Sequence, residues 1–195
     1  ATRTEVYVAR ERHSSSRYNT LGYPQRAIRT KQYLLIWNFR PERWPAGASQ
    51  KFDSVNFDDA GNLVSGQLEP DGKAYHDIDG SPSLSILVER TTDDAASAEK
   101  KRFLDLAVAR RPAWELFDVQ QDPGCLKNLA DDPEVAKVRD ALTQKLESYL
   151  QETDDPRALG TGDIWETYPR TGKIRWFPKA GWLQHNPAPV QPWLE

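Results

Sequence analysis

Residues 26–37 of the chain read RAIRTKQYLLIW, and this stretch decides the fold because it predicts two strands joined by a tight turn. Its two halves are rich in residues that favour strands, and the polar pair Lys31-Gln32 separates them. We therefore expect a β-hairpin here. Arg26 and Arg29 lie an odd number of positions apart, so their side chains should point to opposite faces of the sheet, and one of them is a candidate for a buried ion pair.

Two further strands are predicted at a distance from the hairpin. Residues 5–9 read EVYVA, and residues 114–119 read WELFDV, with apolar and acidic positions alternating. Alternation of this kind is typical of a strand with one face against a core. Together with the hairpin, these segments predict a small antiparallel sheet.

Three helices are predicted, near residues 82–90, 94–110 and 133–151. Ser81 is a suitable N-cap before Pro82, and Asp132 is a suitable N-cap before Pro133. The last helix is amphipathic, because apolar residues recur at spacings of three and four. We expect it to pack on the sheet in an α+β fold that spans residues 1–152, followed by an extended tail of residues 153–195 that is rich in Trp and Pro.

Residues 38–80 contain repeated turn patterns and little periodicity. We interpret them as a long, ordered loop that Trp44 anchors, since disordered segments are poor in aromatic residues.

Composition excludes several functional classes. The net charge of −3 argues against a nucleic-acid partner, because phosphate binding requires a concentrated excess of Lys and Arg. No apolar run approaches the ~20 residues of a membrane span. The single cysteine, Cys125, excludes an internal disulfide and leaves the cellular compartment open.

Five pieces of sequence, taken in order, resemble a known family. They are residues 26–36, residues 111–119, Asp122-Pro123, Asn128-Leu129 and the terminal amphipathic helix. Their order and spacing resemble the C-terminal subdomain of sulfatases of the N-sulfoglucosamine sulfohydrolase-like group, which has an alkaline-phosphatase-like fold. Phe117 stands where many relatives have tyrosine, and Cys125 stands where many have glutamate.

The resemblance implies hydrolysis of a sulfate ester or sulfamate on a sulfated saccharide. Such enzymes use a formylglycine, made in a Cys/Ser-x-Pro/Ala-x-Arg context, and a calcium ion held by acidic residues. Cys125 is followed by Leu126 and Lys127, so it lacks that context. Asp53, Asp58, Asp59 and Asn62 lie close in sequence and are calcium candidates, but they lack the spacing of an EF-hand loop, so we interpret them as a solvated turn. We therefore predict no catalytic residue and no metal ligand in this chain.

We expect the missing parts on an N-terminal catalytic domain, from the same gene product or a companion chain, that carries the formylglycine and the calcium. The chain begins with Ala1 and contains no methionine, which is in keeping with a piece of a larger protein. By itself it is expected to be inactive. The resemblance also implies an exported protein, in the periplasm, outside the cell or in a lysosome.

Five residues are candidates for substrate binding. Glu11, Arg12 and His13 follow the first strand, where Arg and protonated His can bind a sulfate or carboxylate and Glu can accept hydrogen bonds from sugar hydroxyls. Arg43 and Trp44 offer a guanidinium and an aromatic face for an anionic sugar. The alternatives are a surface salt-bridge cluster for the first group and loop packing for the second.

Two other functions stay open at this point. The chain could be a non-catalytic module that binds glycans or a protein through Trp44 and the tail. A hydrolase with an unrelated site ranks last, because no nucleophile and base form an evident pair.

Overall fold

The computed structural model of the protein describes residues 3–61, 63–68, 75–88, 94–168, 170–171 and 174–178. The chain forms two compact units. Unit 1 comprises Ala1–Arg12, Tyr23–Arg43 and Arg110–Pro169, and unit 2 comprises His13–Gly22, Trp44–Ala109 and Arg170–Glu195. The chain therefore passes between the units several times, rather than at one boundary.

The elements follow one another in a mixed order of strands and helices. The strands are β1 (Glu5–Arg10), β2 (Gln25–Thr30), β3 (Tyr33–Asn38), β4 (Phe52–Phe57), β5 (Leu63–Leu68) and β6 (Trp114–Asp118). The α-helices are α1 (Pro82–Val88), α2 (Asp94–Val108), α3 (Ala136–Glu152) and α4 (Ile164–Thr167). Short 3₁₀ turns cover Tyr18–Thr20 and Pro133–Val135.

Unit 1 contains a four-stranded antiparallel sheet in the order β1-β2-β3-β6. Its β2–β3 pair is the hairpin that the sequence predicted, and β1 and β6 are the two other predicted strands. Ile28 pairs with Leu35, and Leu35 pairs with Leu116, so these three side chains share one face. A small antiparallel sheet with helices is thus confirmed.

The core of unit 1 lies between that face and α3. Leu142, Leu146 and Leu150 are spaced by four residues, so all three lie on the helix face that is buried. Burial of each such side chain contributes about 1.5–3 kcal/mol. Asp132 accepts a hydrogen bond from the Glu134 backbone N–H at 3.0 Å, as the predicted cap requires.

The other face of this sheet has an exposed apolar edge. Val6 is 37% exposed and Val8 is 55% exposed. Glu115 also points to this face, where it is buried and its Oε2 accepts a hydrogen bond from Asn38 Nδ2 at 2.8 Å. That bond satisfies a carboxylate that would otherwise be costly to bury.

Unit 2 contains an antiparallel β4–β5 hairpin inside the stretch that the sequence predicted to be a loop. Two register irregularities, between Phe52 and Ser54 and between Asn56 and Phe57, explain why the sequence did not predict these strands, because a bulge shifts the alternation of side chains. Gly66 allows the strands to approach, since a Cβ there would lie 2.7 Å from the Phe52 ring.

The helices of unit 2 pack around a second core. Its buried members are Ala46, Tyr75, Leu84, Val88, Leu104 and Val108, and Trp44 packs against them. Ser81 Oγ accepts a hydrogen bond from the Leu84 backbone N–H at 3.2 Å, which confirms the predicted cap of α1. The predicted last two residues of that helix, 89 and 90, lie outside the described residues.

The predicted tail contributes to both units. Residues 153–168 form turns and α4 in unit 1, while the backbone O of Trp176 accepts a hydrogen bond from the Phe52 N–H in unit 2 at 2.9 Å. Trp182 and Trp193 lie outside the described residues. Over the described part of the chain, the helices are too short or too polar to cross a membrane.

Candidate functional site

Unit 1 gathers five arginines and four carboxylates into what we call the arginine cluster. Four parts of the chain supply them: the residues just after β1, strand β2, the stretch after β3, and the segment after α3. Only Arg26 comes from within a strand. The members are Glu11, Arg12, Arg26, Arg40, Arg43, Asp155, Arg157, Asp163 and Glu166.

Two buried arginines hold Glu11 at the centre of this cluster. Arg26 is 2% exposed, and its Nη2 lies 2.7 Å from Glu11 Oε1. Arg157 is 3% exposed and donates from Nη2 to Glu11 Oε2 at 2.8 Å. Arg26 also donates from Nε to Asp155 Oδ2 at 2.7 Å. Arg26 is therefore the buried ion-paired residue that the strand pattern allowed.

Burial would lower the pKa of Arg157, but the hydrogen bonds and charges of Glu11 and Glu166 outweigh that cost and raise the pKa. Trp165 adds a cation–π contact, with its ring centroid 5.5 Å from Arg157 Cζ and 5.7 Å from Arg26 Cζ. The ring centroid of Phe39 also lies 5.8 Å from Arg26 Cζ, so the cluster is held by charge and by two aromatic rings.

Glu166 brings two predicted substrate-binding residues together. Its Oε2 accepts from Arg12 Nη2 at 3.1 Å, and its Oε1 accepts from Arg43 Nη1 at 2.8 Å and from Arg157 Nη2 at 3.2 Å. The side chains of Arg12 and Arg43 are 14% and 16% exposed. Three guanidinium groups therefore meet one carboxylate in a partly buried setting.

Asp163 lies on the exposed side of the arginine cluster. It accepts from Arg40 Nη2 at 2.6 Å and from Arg157 Nη1 at 2.7 Å, and its side chain is 62% exposed. The hydrogen bond from Arg40 lowers the pKa of Asp163, and the charges of Arg40, Arg157 and Arg43 act in the same direction.

Unit 2 holds the other two candidates, His13 and Trp44, around an ion pair of Arg17 and Asp77. Arg17 donates from Nη2 to Asp77 Oδ2 and from Nε to the backbone O of Trp44 at 2.6 Å. His13 is 60% exposed, and its Nδ1 lies 3.8 Å from Asp77 Oδ1. A protonated His13 would thus face a carboxylate.

Asp77 is almost fully buried and receives hydrogen bonds from Ser14 Oγ at 2.7 Å and Ser16 Oγ at 2.9 Å. Burial raises the pKa of Asp77, but the bonds from these serines and the charge of Arg17 outweigh it and lower the pKa. The carboxylate therefore orders the loop that carries His13.

Trp44 lies at the margin of the unit 2 core. Its ring is tilted against Tyr75, with centroids 6.2 Å apart. This contact matches the loop-packing alternative and the anchoring role that the sequence suggested. Trp44 is half-buried, and its contact with a sugar stays a prediction.

The sequence did not identify Asp77, Asp155, Arg157, Asp163 or Glu166. Each has at least one partner far along the chain, as with Arg157 and Glu11, which are 146 positions apart. The sequence signal that could have pointed to the last four is the concentration of acidic residues around a lone arginine in residues 154–166, which read DDPRALGTGDIWE.

Within the described part of the chain, no group of three or more His, Cys, Asp or Glu side chains is placed to hold a metal ion. Asp58 serves a turn instead, since its Oδ1 accepts from the Ala60 backbone N–H at 3.0 Å.

The fold and the site define a mixed α/β chain with a small antiparallel sheet and a charged cluster at one end of it. No family model matches the chain. Human N-sulphoglucosamine sulphohydrolase is similar to it, with 27% identity over 138 residues, which cover 70% of this chain and 22% of the relative. The similarity supports a sulfatase-like relationship, and the chain spans less than a quarter of that relative's length.

Proposed function

We propose that the chain is the C-terminal part of a sulfatase that acts on a sulfated saccharide. The similarity to human N-sulphoglucosamine sulphohydrolase supports this proposal, as does a sheet-and-helix architecture of the kind that the sequence resemblance implied. The formylglycine and the calcium then belong to a catalytic domain elsewhere in the enzyme. Secretion or lysosomal delivery is part of the same proposal.

The observation that carries the proposal is the convergence of Arg12 and Arg43 on Glu166. Guanidinium groups bind sulfate and carboxylate through charge-assisted hydrogen bonds, and they do so most strongly when water is partly excluded. Sulfate esters, sulfamates and uronates all present such anions. In unit 2, the exposed His13 is a separate candidate for binding an anion when it is protonated.

The outer face of the unit 1 sheet is the proposed contact with the catalytic domain. Val6 and Val8 are exposed there on the edge strand β1. Exposed apolar side chains grouped on one face often mark an interaction surface. The similar human enzyme is several times longer than the matched region, which supplies the partner polypeptide that this proposal needs.

A sulfate-release assay tests the proposed function. The chain alone should release no sulfate from N- or O-sulfated glucosamine, whereas the full gene product, assayed with calcium, should do so. Turnover by the isolated chain would contradict the proposal, as would the absence of a Cys/Ser-x-Pro/Ala-x-Arg segment from the full gene product and any companion chain. Glycan binding without hydrolysis by the full gene product would favour the alternative, a non-catalytic binding module.

A further inference from the structure

Glu166 occupies a position that an external anion could share or take. It bonds to Arg12 and Arg43 with one hydrogen bond each, at 3.1 and 2.8 Å. A carboxylate and a sulfate present similar oxygen acceptors to a guanidinium group. The contact of Glu166 with both arginines, and with Arg157 at 3.2 Å, therefore marks a place where an oxyanion fits guanidinium donors.

Arg12 has a donor that this arrangement leaves unused. Its Nε is buried and has no hydrogen-bond partner among the described residues. Buried polar groups without partners are rare, because each costs about 1–3 kcal/mol. An oxyanion that contacts Arg12 in a bidentate manner uses Nε together with a terminal nitrogen, so it would satisfy this donor.

The element that carries Glu166 is short and held mainly by charge. Helix α4 has four residues and no buried residue, and Ile164 on it is 52% exposed. A large apolar contact does not fix it within unit 1. A shift of Glu166 away from Arg12 is therefore less costly than movement of a core helix would be.

We propose that Arg12 and Arg43 form an oxyanion-binding site whose internal counter-charge is Glu166, and that an anionic group of the substrate competes with Glu166 for it. This inference rests on the proposed function, since it assigns these arginines to a sulfate or carboxylate of the saccharide. It also adds Glu166 as the residue that sets how tightly the anion is held.

The test measures binding of inorganic sulfate to the full chain at low ionic strength, with chloride at the same ionic strength as the reference anion. Titration is followed by calorimetry and by the Nε–H NMR resonances of Arg12 and Arg43. Glu166→Gln should bind sulfate about five- to tenfold more tightly, because removal of a nearby like charge changes affinity by about that factor. Glu166→Asp has a shorter side chain, which withdraws the carboxylate from the arginines, so it should show a smaller gain in sulfate affinity. This variant replaces Glu166→Gln in the test if Glu166→Gln does not fold.

Asp140→Asn is the matched control. It removes the negative charge of an exposed carboxylate in unit 1 whose hydrogen bond comes from Arg139, outside the arginine cluster. Its sulfate affinity should stay within twofold of the parent, and the double change Glu166→Gln with Arg12→Gln should abolish the gain. An equal gain in Asp140→Asn, no gain in either Glu166 variant, or a gain that survives loss of Arg12 would overturn the inference.

Failure of this inference and failure of the proposed function give different results. Sulfate binding by the chain requires no catalysis, so it reports on Arg12, Arg43 and Glu166 alone. Sulfate release by the full gene product reports on the proposed function. Unchanged affinity in both Glu166 variants, beside normal sulfate release, would remove the oxyanion site and leave the proposed function standing.

Discussion

At the scale of single residues, buried charge organises both units. Arg157 contacts Glu11, Asp163 and Glu166, and Asp77 contacts Arg17 and two serines. Loss of one partner from a buried ion pair is strongly destabilising, because it leaves the other charge without compensation. Arg157 and Asp77 therefore support candidate substrate-binding side chains, although the sequence did not predict either of them as a site residue.

Asp77→Asn should lower the free energy of unfolding by about 3 kcal/mol at neutral pH, because Arg17 then loses a buried counter-charge. The pKa of Asp77 is lowered in the folded state, so its contribution is fully present above the ordinary carboxyl pKa and is lost as the pH falls through the folded value. The difference between variant and parent should thus shrink below about pH 4.

Urea unfolding monitored by tryptophan fluorescence between pH 3 and pH 7 measures this effect. Asp140→Asn is the control, since its 67% exposed side chain pairs with Arg139 at the surface and should contribute about 1 kcal/mol or less. Equal decreases in the free energy of unfolding in the two variants would show that the Arg17–Asp77 pair stabilises the fold no more than an exposed pair does.

Gly162→Ala should destabilise unit 1 by about 1–3 kcal/mol, because overpacking forces neighbouring atoms to move. A Cβ at this position would lie 2.9 Å from Arg157 Cα and also meet the Arg157 side chain. Thermal unfolding is the measurement. Gly124→Ala, whose Cβ would find its nearest neighbour at 3.4 Å, should change stability by no more than about 0.5 kcal/mol.

At the scale of elements, α3 and the β1-β2-β3-β6 sheet carry most of the apolar packing in unit 1. The contact is periodic on both sides, with every fourth residue of the helix against alternate residues of the strands. Segment 153–168 differs, because charge pairs hold it and no residue of α4 is buried. The two kinds of element should respond differently to salt, since ion pairs near the surface are screened and apolar packing is not.

Leu146→Ala should cost about 2–5 kcal/mol, the range for truncating a fully buried leucine. Leu146 is completely buried between α3 and the sheet, whereas Leu126 is 64% exposed. Leu126→Ala should therefore lie within about 0.5 kcal/mol of the parent. Chemical denaturation of both variants under one set of conditions makes the comparison, and similar values would contradict the position of the core.

At the scale of the whole molecule, the proposed partner is the larger part of a sulfatase. The outer sheet face in unit 1, with Val6 and Val8, is the surface proposed to contact it. Most of the similar human relative lies outside the matched region, and we propose that this larger part covers the exposed valines of β1.

Val8→Lys should weaken association with the catalytic domain by tenfold or more, because a lysine ammonium would lose its hydration on an apolar interface. The stability of the isolated chain should not change, since Val8 is 55% exposed. Calorimetric titration of the two polypeptides tests this. Val64→Lys, at a 58% exposed valine of β5, is the control and should keep its affinity within twofold.

Local sequence patterns were enough to predict most strands and helices of the fold. The β2–β3 hairpin, the third and fourth strands of its sheet, the capped helices and the burial of one of the two arginines in β2 all follow from alternation, spacing and capping residues. These features depend on neighbours within a few positions. The sequence did not predict the β4–β5 hairpin, because its bulges interrupt the alternation on which strand prediction depends.

The partners of the charged side chains become known only from the tertiary structure. Arg12 and Glu166 are 154 positions apart, and Arg26 and Asp155 are 129 positions apart, so no local pattern links them. The structure also assigns Glu11, Arg12 and Arg43 to unit 1 and His13 and Trp44 to unit 2. The physical reason is that ion pairing has no sequence period. It depends on which side chains the packing of distant segments places within hydrogen-bond distance.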